Sequence, residues 1–393
     1  MFRELLIFLY LTTFRIPFTF FKLFPQKKKT VFVASFGDNS LFIAKEVAKQ
    51  TDDQIVILKD SQCKLDFRQD DPNWTVIEFK VSHLLGWFRS IYHLATSQKV
   101  FVDNYFGFLS VARFKKNVQC IQLWHAAGAI KKFGLEDPSI KERTPGTIKR
   151  FIKVYDRFNY VAVGSERMAT IFQRSFGLSD DRMLRVGIPR TDFFFNSLEK
   201  QKADKLLKEE IPVIGKKRVI LYAPTFRNDH LVNPEIVLDI QALYKKLSNQ
   251  YILLLRLHPA VHAAFENDFP GFVFNVSKGY DINHLLVITD ILITDYSSIP
   301  FEFSLLERPM IFYAYDLQDY RKERGFWEDY EKLVPGPIVE NTDEIIELIE
   351  HSQFDLKRIQ TFAAEWNQYS TGSSSKNMVK SLYKTDKSPA RWH

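Results

Sequence analysis

The sequence predicts an α/β protein of two doubly wound domains, and three observations predict it. Eleven short β-branched or aromatic runs alternate with stretches of helical period, the pattern of parallel sheets joined by crossover helices. A polar stretch at 196–217 separates six of these runs from five. Polar and glycine-rich clusters follow the runs, where open sheets of this kind bind ligands beyond the carboxyl ends of their strands. A chain of 393 residues, 46% apolar, is long enough for two such cores. The expected division is a segment at 1–29, a first domain at 30–205 and a second at 206–393, the two domains facing a central cleft.

The first 29 residues read differently from the rest. They hold Arg3, Arg15, Lys22, Lys27, Lys28 and Lys29 against Glu4, a net +5 of the chain's +7, so the other 364 residues carry only +2. A basic head on a nearly neutral body argues against a nucleic-acid surface and for an anionic partner at this end. Phe2, Phe8, Tyr10, Phe14, Phe18, Phe20, Phe21 and Phe24 crowd among Leu and Ile. On a helix at about 100° per residue, Glu4, Thr12, Arg15, Thr19 and Lys22 share one polar arc of roughly 80°. That stripe and Pro17 suit a bilayer-spanning segment poorly, and no small-x-small cleavage site follows. The expectation is an amphipathic helix in the membrane interface, with Lys27, Lys28 and Lys29 drawn to anionic lipid. The alternative is a helix packed on the body of the protein.

The expected strands lie at 30–35, 54–58, 99–103, 119–124, 160–163, 184–186, 218–222, 251–256, 272–275, 291–294 and 310–313. The clusters that follow them lie at 35–40, 103–105, 124–128, 187–192, 222–227, 256–259 and 294–298. Cys63 and Cys120 make no disulfide framework and no zinc cluster. There is no G-x-x-x-x-G-K-[ST] and no Asp-x-Asp, so positive side chains and helix N-termini must neutralise any phosphate bound here.

The clusters name candidates. Thr294-Asp295-Tyr296-Ser297-Ser298 ends an apolar run and opens an amphipathic one, which places its hydroxyls at a helix N-terminus suited to phosphate. Thr225 and Arg227 add a hydroxyl and a guanidinium able to grip a diphosphate. His125 and His258 each follow a buried-looking strand and can act as general base or as donor to phosphate oxygens. Asp103 ends its own strand, in place to orient His125, to act as the base, or to cap a turn.

Taken in order, Trp124-His125-Ala126-Ala127-Gly128 with its continuation to Gly134, Tyr222-Ala223-Pro224-Thr225-Phe226-Arg227, Arg256-Leu257-His258-Pro259, Ile293-Thr294-Asp295-Tyr296-Ser297-Ser298 and Pro335-Gly336-Pro337 resemble the CDP-glycerol glycerophosphotransferase family of teichoic acid synthesis in Gram-positive bacteria. The resemblance runs from about residue 30 to residue 376. It implies a GT-B-like pair of Rossmann-type domains, the activated donor held mainly by the second, and a peripheral place on the cytoplasmic membrane face. Polymerising members usually carry Trp-His-Gly-Thr-Pro and Asp-Gly-x-Ala-Ser, where this chain has Trp124-His125-Ala126-Ala127-Gly128 and Thr371-Gly372-Ser373-Ser374-Ser375. Both departures look like the members that add a single glycerol phosphate to an undecaprenyl-diphosphate-linked ManNAc-GlcNAc disaccharide.

The implied reaction needs no cofactor, CDP-glycerol being a substrate. The disaccharide hydroxyl attacks the glycerol-bearing phosphorus and CMP leaves. His125, assisted by Asp103, is expected as base, and His258, Arg256, Arg227, Thr225, Ser297 and Ser298 as stabilisers of the leaving phosphate, with the histidine roles exchangeable. Asp295 is expected beside the donor and Glu302 on the ribose hydroxyls. The alternatives are a ribitol-using or polymerising member, a nucleotide-sugar glycosyltransferase of the same fold, and a non-catalytic membrane adaptor.

Overall fold

The computed structural model describes residues 2–225, 236–257 and 267–383. Among them the chain forms two compact units, the first from 2–125, 133–192 and 369–383, the second from 126–132 and 193–368.

The first unit carries seven strands: β1 (Lys29–Ala34), β2 (Gln54–Lys59), β3 (Thr75–Glu78), β4 (Lys99–Val102), β5 (Gln119–Gln122), β6 (Tyr160–Val163) and β7 (Met183–Arg185). They form one sheet in the order β3-β2-β1-β4-β5-β6-β7, every pairing parallel. The second unit carries β8 (Arg218–Ala223), β9 (Tyr251–Leu255), β10 (Val273–Asn275), β11 (Ile291–Thr294), β12 (Met310–Tyr313) and β13 (Ile338–Val339) in the order β10-β9-β8-β11-β12-β13, also parallel. The inner strands β9, β11 and β12 are buried along their whole length, as strands covered on both faces must be. In each sheet the chain winds outward in both directions from one point, between β1 and β4 and between β8 and β11. Loops beyond these two points splay apart and leave room for a ligand.

All eleven expected strands are present within a residue or two of their expected limits. The other two, β3 and β13, are edge strands, one half-exposed and one of two residues, too short to stand out as apolar runs. The expected boundary at 205/206 falls inside the helix Ser197–Glu210, which packs on the helix Ile282–Ile288 of the second unit. The helix Ser374–Leu382, expected in the second domain, belongs to the first unit, where Met378, Val379 and Leu382 complete the core around Phe32, Ile43, Phe101 and Ile121. Asp192 fixes its start, its two carboxylate oxygens accepting the Ser374 and Ser375 N–H groups at 2.7 and 2.8 Å.

Helices of the first unit include α1 (Phe2–Phe21), α2 (Asp38–Gln50), α3 (Leu84–Ala95), α4 (Pro145–Tyr155) and α5 (Glu166–Phe176). Helix α1 is apolar on both sides. Ile7, Tyr10, Leu11, Phe14, Pro17, Phe18 and Phe21, at helical spacing, turn toward the unit, and Phe14 and Phe18 are fully buried. Phe14 lies 4.8 Å from the Phe108 ring and 5.8 Å from Trp87 of α3. The opposite side leaves Leu5, Leu6, Phe8, Leu9, Ile16 and Phe20 exposed. The packed-helix reading holds for one face, and the other stays bare.

The lysine run needs correction. Lys29 opens β1 and is fully buried, donating to Thr96 Oγ1 at 2.7 Å and lying 5.0 Å from the Tyr92 ring centre. Burial, helped by the charge of Lys27, lowers its ammonium pKa to about 8. Lys28 is exposed and paired with Asp52. Only Lys27 and Lys28 of the three point outward.

Candidate active site

At the divergence point of the first sheet, β1 runs into Ser35, Phe36 and Gly37, and β4 runs into Asp103. The Asp103 carboxylate, fully buried, accepts three backbone N–H groups: Ser35 at 2.9 Å, Phe36 at 3.0 Å and Gly37 at 2.7 Å. The turn requires glycine at its third position, where φ is +98° and a Cβ would come within 2.9 Å of Leu65. Burial pushes the Asp103 carboxyl up to about 6, against the downward pull of the three N–H groups.

His125 follows β5 by three residues. Its Nδ1 lies 3.1 Å from the Asp103 carbonyl oxygen, which can only accept, so Nδ1 carries the hydrogen and Nε2 keeps its lone pair. The ring stacks on Phe36 at 4.1 Å and on Trp124 at 4.4 Å. Burial, with the charge of Arg190 adding to it, lowers the imidazole pKa to about 4, so the ring is neutral at pH 7. Trp124 holds the left-handed conformation at φ 58°, uncommon outside glycine and sustained only where neighbours fix it. They do: the Trp124 N–H reaches Gln122 Oε1 at 2.8 Å, and Asn39 Nδ2 donates to the Trp124 carbonyl at 2.9 Å. The Asn39 side-chain oxygen takes the Arg190 N–H at 3.0 Å and so ties the two loops together.

Asp103 is placed differently from what its side chain suggested. It touches His125, but through the main chain, while its carboxylate closes the 35–37 turn. Phe36, Asn39 and Arg190 carried no assigned role in the sequence. Their signal was positional, each lying in a cluster just past a strand.

The second unit repeats the device. Asp295, buried beyond β11, accepts the Thr225 N–H beyond β8 at 2.8 Å, and the Thr294 hydroxyl donates to the Ala223 carbonyl at 2.7 Å. The helix after the two serines is short, Ile299–Phe303, and its Pro300, Phe301, Glu302 and Phe303 are all buried rather than amphipathic. Ser297 Oγ accepts the Ile299 N–H at 3.2 Å, whereas the Ser298 side chain makes no capping bond. Glu302 is buried, and its Oε1 takes the Ala127 N–H at 3.1 Å. Residues 126–132 are thereby held in this unit, with Gly128 so close to the Phe301 ring that a Cβ would meet it at 2.5 Å. Arg256 Nη1 donates to the Val276 and Tyr280 carbonyls, each at 3.1 Å, and so braces the loop after β10. Arg227 and His258 lie outside the described residues.

Each divergence point thus has a buried aspartate pinning the neighbouring loop, and in the first unit a neutral histidine with a free-base nitrogen. Comparison with known proteins agrees with this architecture. The family model described as CDP-glycerol:poly(glycerophosphate) glycerophosphotransferase matches residues 16–384. The teichoic acid glycerol-phosphate primase of Bacillus subtilis (strain 168) is 36% identical over 356 residues, which is 90% of this chain and 91% of that protein. The teichoic acid ribitol-phosphate primase of Bacillus spizizenii (strain ATCC 23059 / NRRL B-14472 / W23) is 37% identical over 309 residues, 76% of this chain and 78% of its own. A solved structure of the wall teichoic acid polymerase TagF superimposes with a TM-score of 0.80 over 98% of both chains at 21% identity, which establishes the GT-B-like fold. On sequence and fold together, the chain belongs to the CDP-glycerol:poly(glycerophosphate) glycerophosphotransferase family and is a transferase.

Proposed function

We propose that this transferase primes wall teichoic acid, moving one glycerol phosphate from CDP-glycerol to an undecaprenyl-diphosphate-linked ManNAc-GlcNAc disaccharide at the cytoplasmic membrane face. The observation that carries the reading is the match to a glycerol-phosphate primase along nine-tenths of both chains. In the reaction an acceptor hydroxyl oxygen bonds to the glycerol-bearing phosphorus as the bond from that phosphorus to the bridging oxygen breaks. CMP leaves with that oxygen. The hydroxyl proton passes to His125 Nε2, the ring atom that Nδ1–H leaves basic. Asp103 is a positioning residue: its carbonyl sets the ring and its carboxylate the 35–37 turn. Thr225, Asp295, Ser297 and Ser298 border the divergence point assigned to the donor, with Arg256 bracing the loop beside it. Arg227 and His258 keep the roles the sequence suggests, as cations or donors to the leaving phosphate. The exposed side of α1, with Lys27 and Lys28, supports seating on an anionic membrane surface.

A ribitol-using member is the second reading, favoured by the ribitol-phosphate primase similarity. Full-length protein given CDP-glycerol and a short-chain prenyl-diphosphate disaccharide should release one CMP per acceptor and yield a product heavier by one glycerol phosphate. A ladder of products would assign polymerisation, and turnover with CDP-ribitol alone would assign the second reading.

A further inference from the structure

Between α1 and α4 the first unit has an open cleft of about 690 Å³ that no step of the reaction above uses. One wall is the inward side of α1; the other carries Arg143, Thr144, Thr147 and Arg150, with Glu142 beside Arg143 and Tyr105 also in the lining. Arg150 is only 16% exposed, and its guanidinium holds the Glu4 carboxylate at 3.2 Å and the Thr147 hydroxyl at 3.2 Å. Arg143 stacks on the Phe151 ring 5.0 Å away and donates to Ser139 Oγ at 3.2 Å. Thr144 caps α4, so the positive end of an eleven-residue helix opens on the same space. Two preset guanidiniums, hydroxyls and a helix start are a receptor for a phosphate group, and Glu4 already places an anion on Arg150.

The position narrows the ligand. The same helix bears exposed Leu5, Leu6, Phe8 and Leu9 on its far side, so an anion bound here has an apolar surface one helix width away. Tyr105 stands two residues after Asp103, whose carbonyl orients His125. We infer that this cleft binds the diphosphate of a prenyl-linked saccharide acceptor, with the prenyl chain leaving along α1 and the sugar directed toward the loop of Asp103. The inference rests on the acceptor class proposed above.

The test uses the full chain and two probes, farnesyl diphosphate for binding and a farnesyl-diphosphate disaccharide for turnover. Arg143→Ala and Arg150→Ala should each raise the acceptor KM about tenfold or more, with the CDP-glycerol KM unchanged within twofold, because a charge-assisted contact is lost from one substrate only. Farnesyl diphosphate should bind the wild type and lose about tenfold or more in the double variant; Arg150→Lys, which keeps the charge, should lose less. Equal farnesyl diphosphate affinity in wild type and double variant overturns the site. Loss of binding to phosphatidylglycerol vesicles with unchanged farnesyl diphosphate binding also overturns it, in favour of bulk lipid headgroups. If farnesyl diphosphate binds through these arginines but the disaccharide is never glycerophosphorylated, the site stands and the acceptor reading falls. Arg143 is exposed, so its substitution tests the idea even if Arg150 proves necessary for folding.

Discussion

The imidazole of His125 is oriented by the backbone of Asp103, Nδ1 against the carbonyl oxygen at 3.1 Å, while the carboxylate of the same residue faces the other way into the Ser35, Phe36 and Gly37 N–H groups. One residue thus serves two loops. The arrangement sets the tautomer of the histidine, while burial holds its pKa low against the upward pull of the Asp103 carbonyl.

Replacing His125 by Ala or Gln should reduce kcat by about two or more orders of magnitude, as loss of a general base does. CDP-glycerol affinity and the melting temperature should change little. Steady-state CMP release with a parallel thermal melt checks this, and near-normal turnover would remove the base assignment.

Asp103→Asn separates positioning from catalysis. The amide keeps one accepting oxygen where the carboxylate has two and carries no charge, so stability should fall by about 1–3 kcal/mol as bonds to the turn are lost or weakened. The CMP-release rate should fall less than in the His125 variants. A loss of rate equal to theirs with an unshifted melting curve would make the carboxylate itself the base.

The His125 ring should remain uncharged when the protein is taken from pH 8 to pH 6. Burial disfavours the imidazolium, so the proton is taken up only as pH approaches about 4, well below the ordinary histidine value. Ring-nitrogen NMR should show the Nδ1–H tautomer throughout that range. A titration midpoint near 6.5 would show a solvated ring.

The two sides of α1 should respond differently to substitution. Phe14→Ala removes a fully buried ring from the contact with Phe108 and Trp87 and should destabilise the first unit by about 3–5 kcal/mol. Leu5→Gln with Leu9→Gln should alter stability by less than about 0.5 kcal/mol per site, yet weaken binding to anionic vesicles. Co-sedimentation and denaturant melts on the same variants distinguish the effects; vesicle binding that survives the double substitution would place the membrane contact elsewhere.

The interior of the fold was legible because buried parallel strands are continuous apolar runs, and β9, β11 and β12 are such runs. The edge strands β3 and β13 were not, since short half-exposed pairings leave no run to read. His125 was legible from its place after β5. Which atom of Asp103 would face it was not, because side-chain and carbonyl oxygens are equivalent in a string of letters. Lys29 read as a surface charge for its neighbours' sake, although the strand that begins there carries it inside. In α1, apolar residues over all but one polar arc concealed which face packs; only the seats offered by Trp87, Phe108 and Phe114 decide it.

The return of the helix Ser374–Leu382 to the first unit has a bearing on how the protein is made. Ser370 Oγ accepts the Ile188 N–H, Asp192 receives the start of the helix, and Met378, Val379 and Leu382 roof the apolar side of α2. During translation the whole sheet β1 to β7 leaves the ribosome before that roof exists. At about 5–20 residues per second the interval is roughly 10–40 s. Throughout it the early half of the nascent chain holds an uncovered greasy surface beside an already apolar leader helix, and it can mature only when residues synthesised after the second sheet come back to close it. The core of the first unit is therefore completed last, by a segment made after the second sheet.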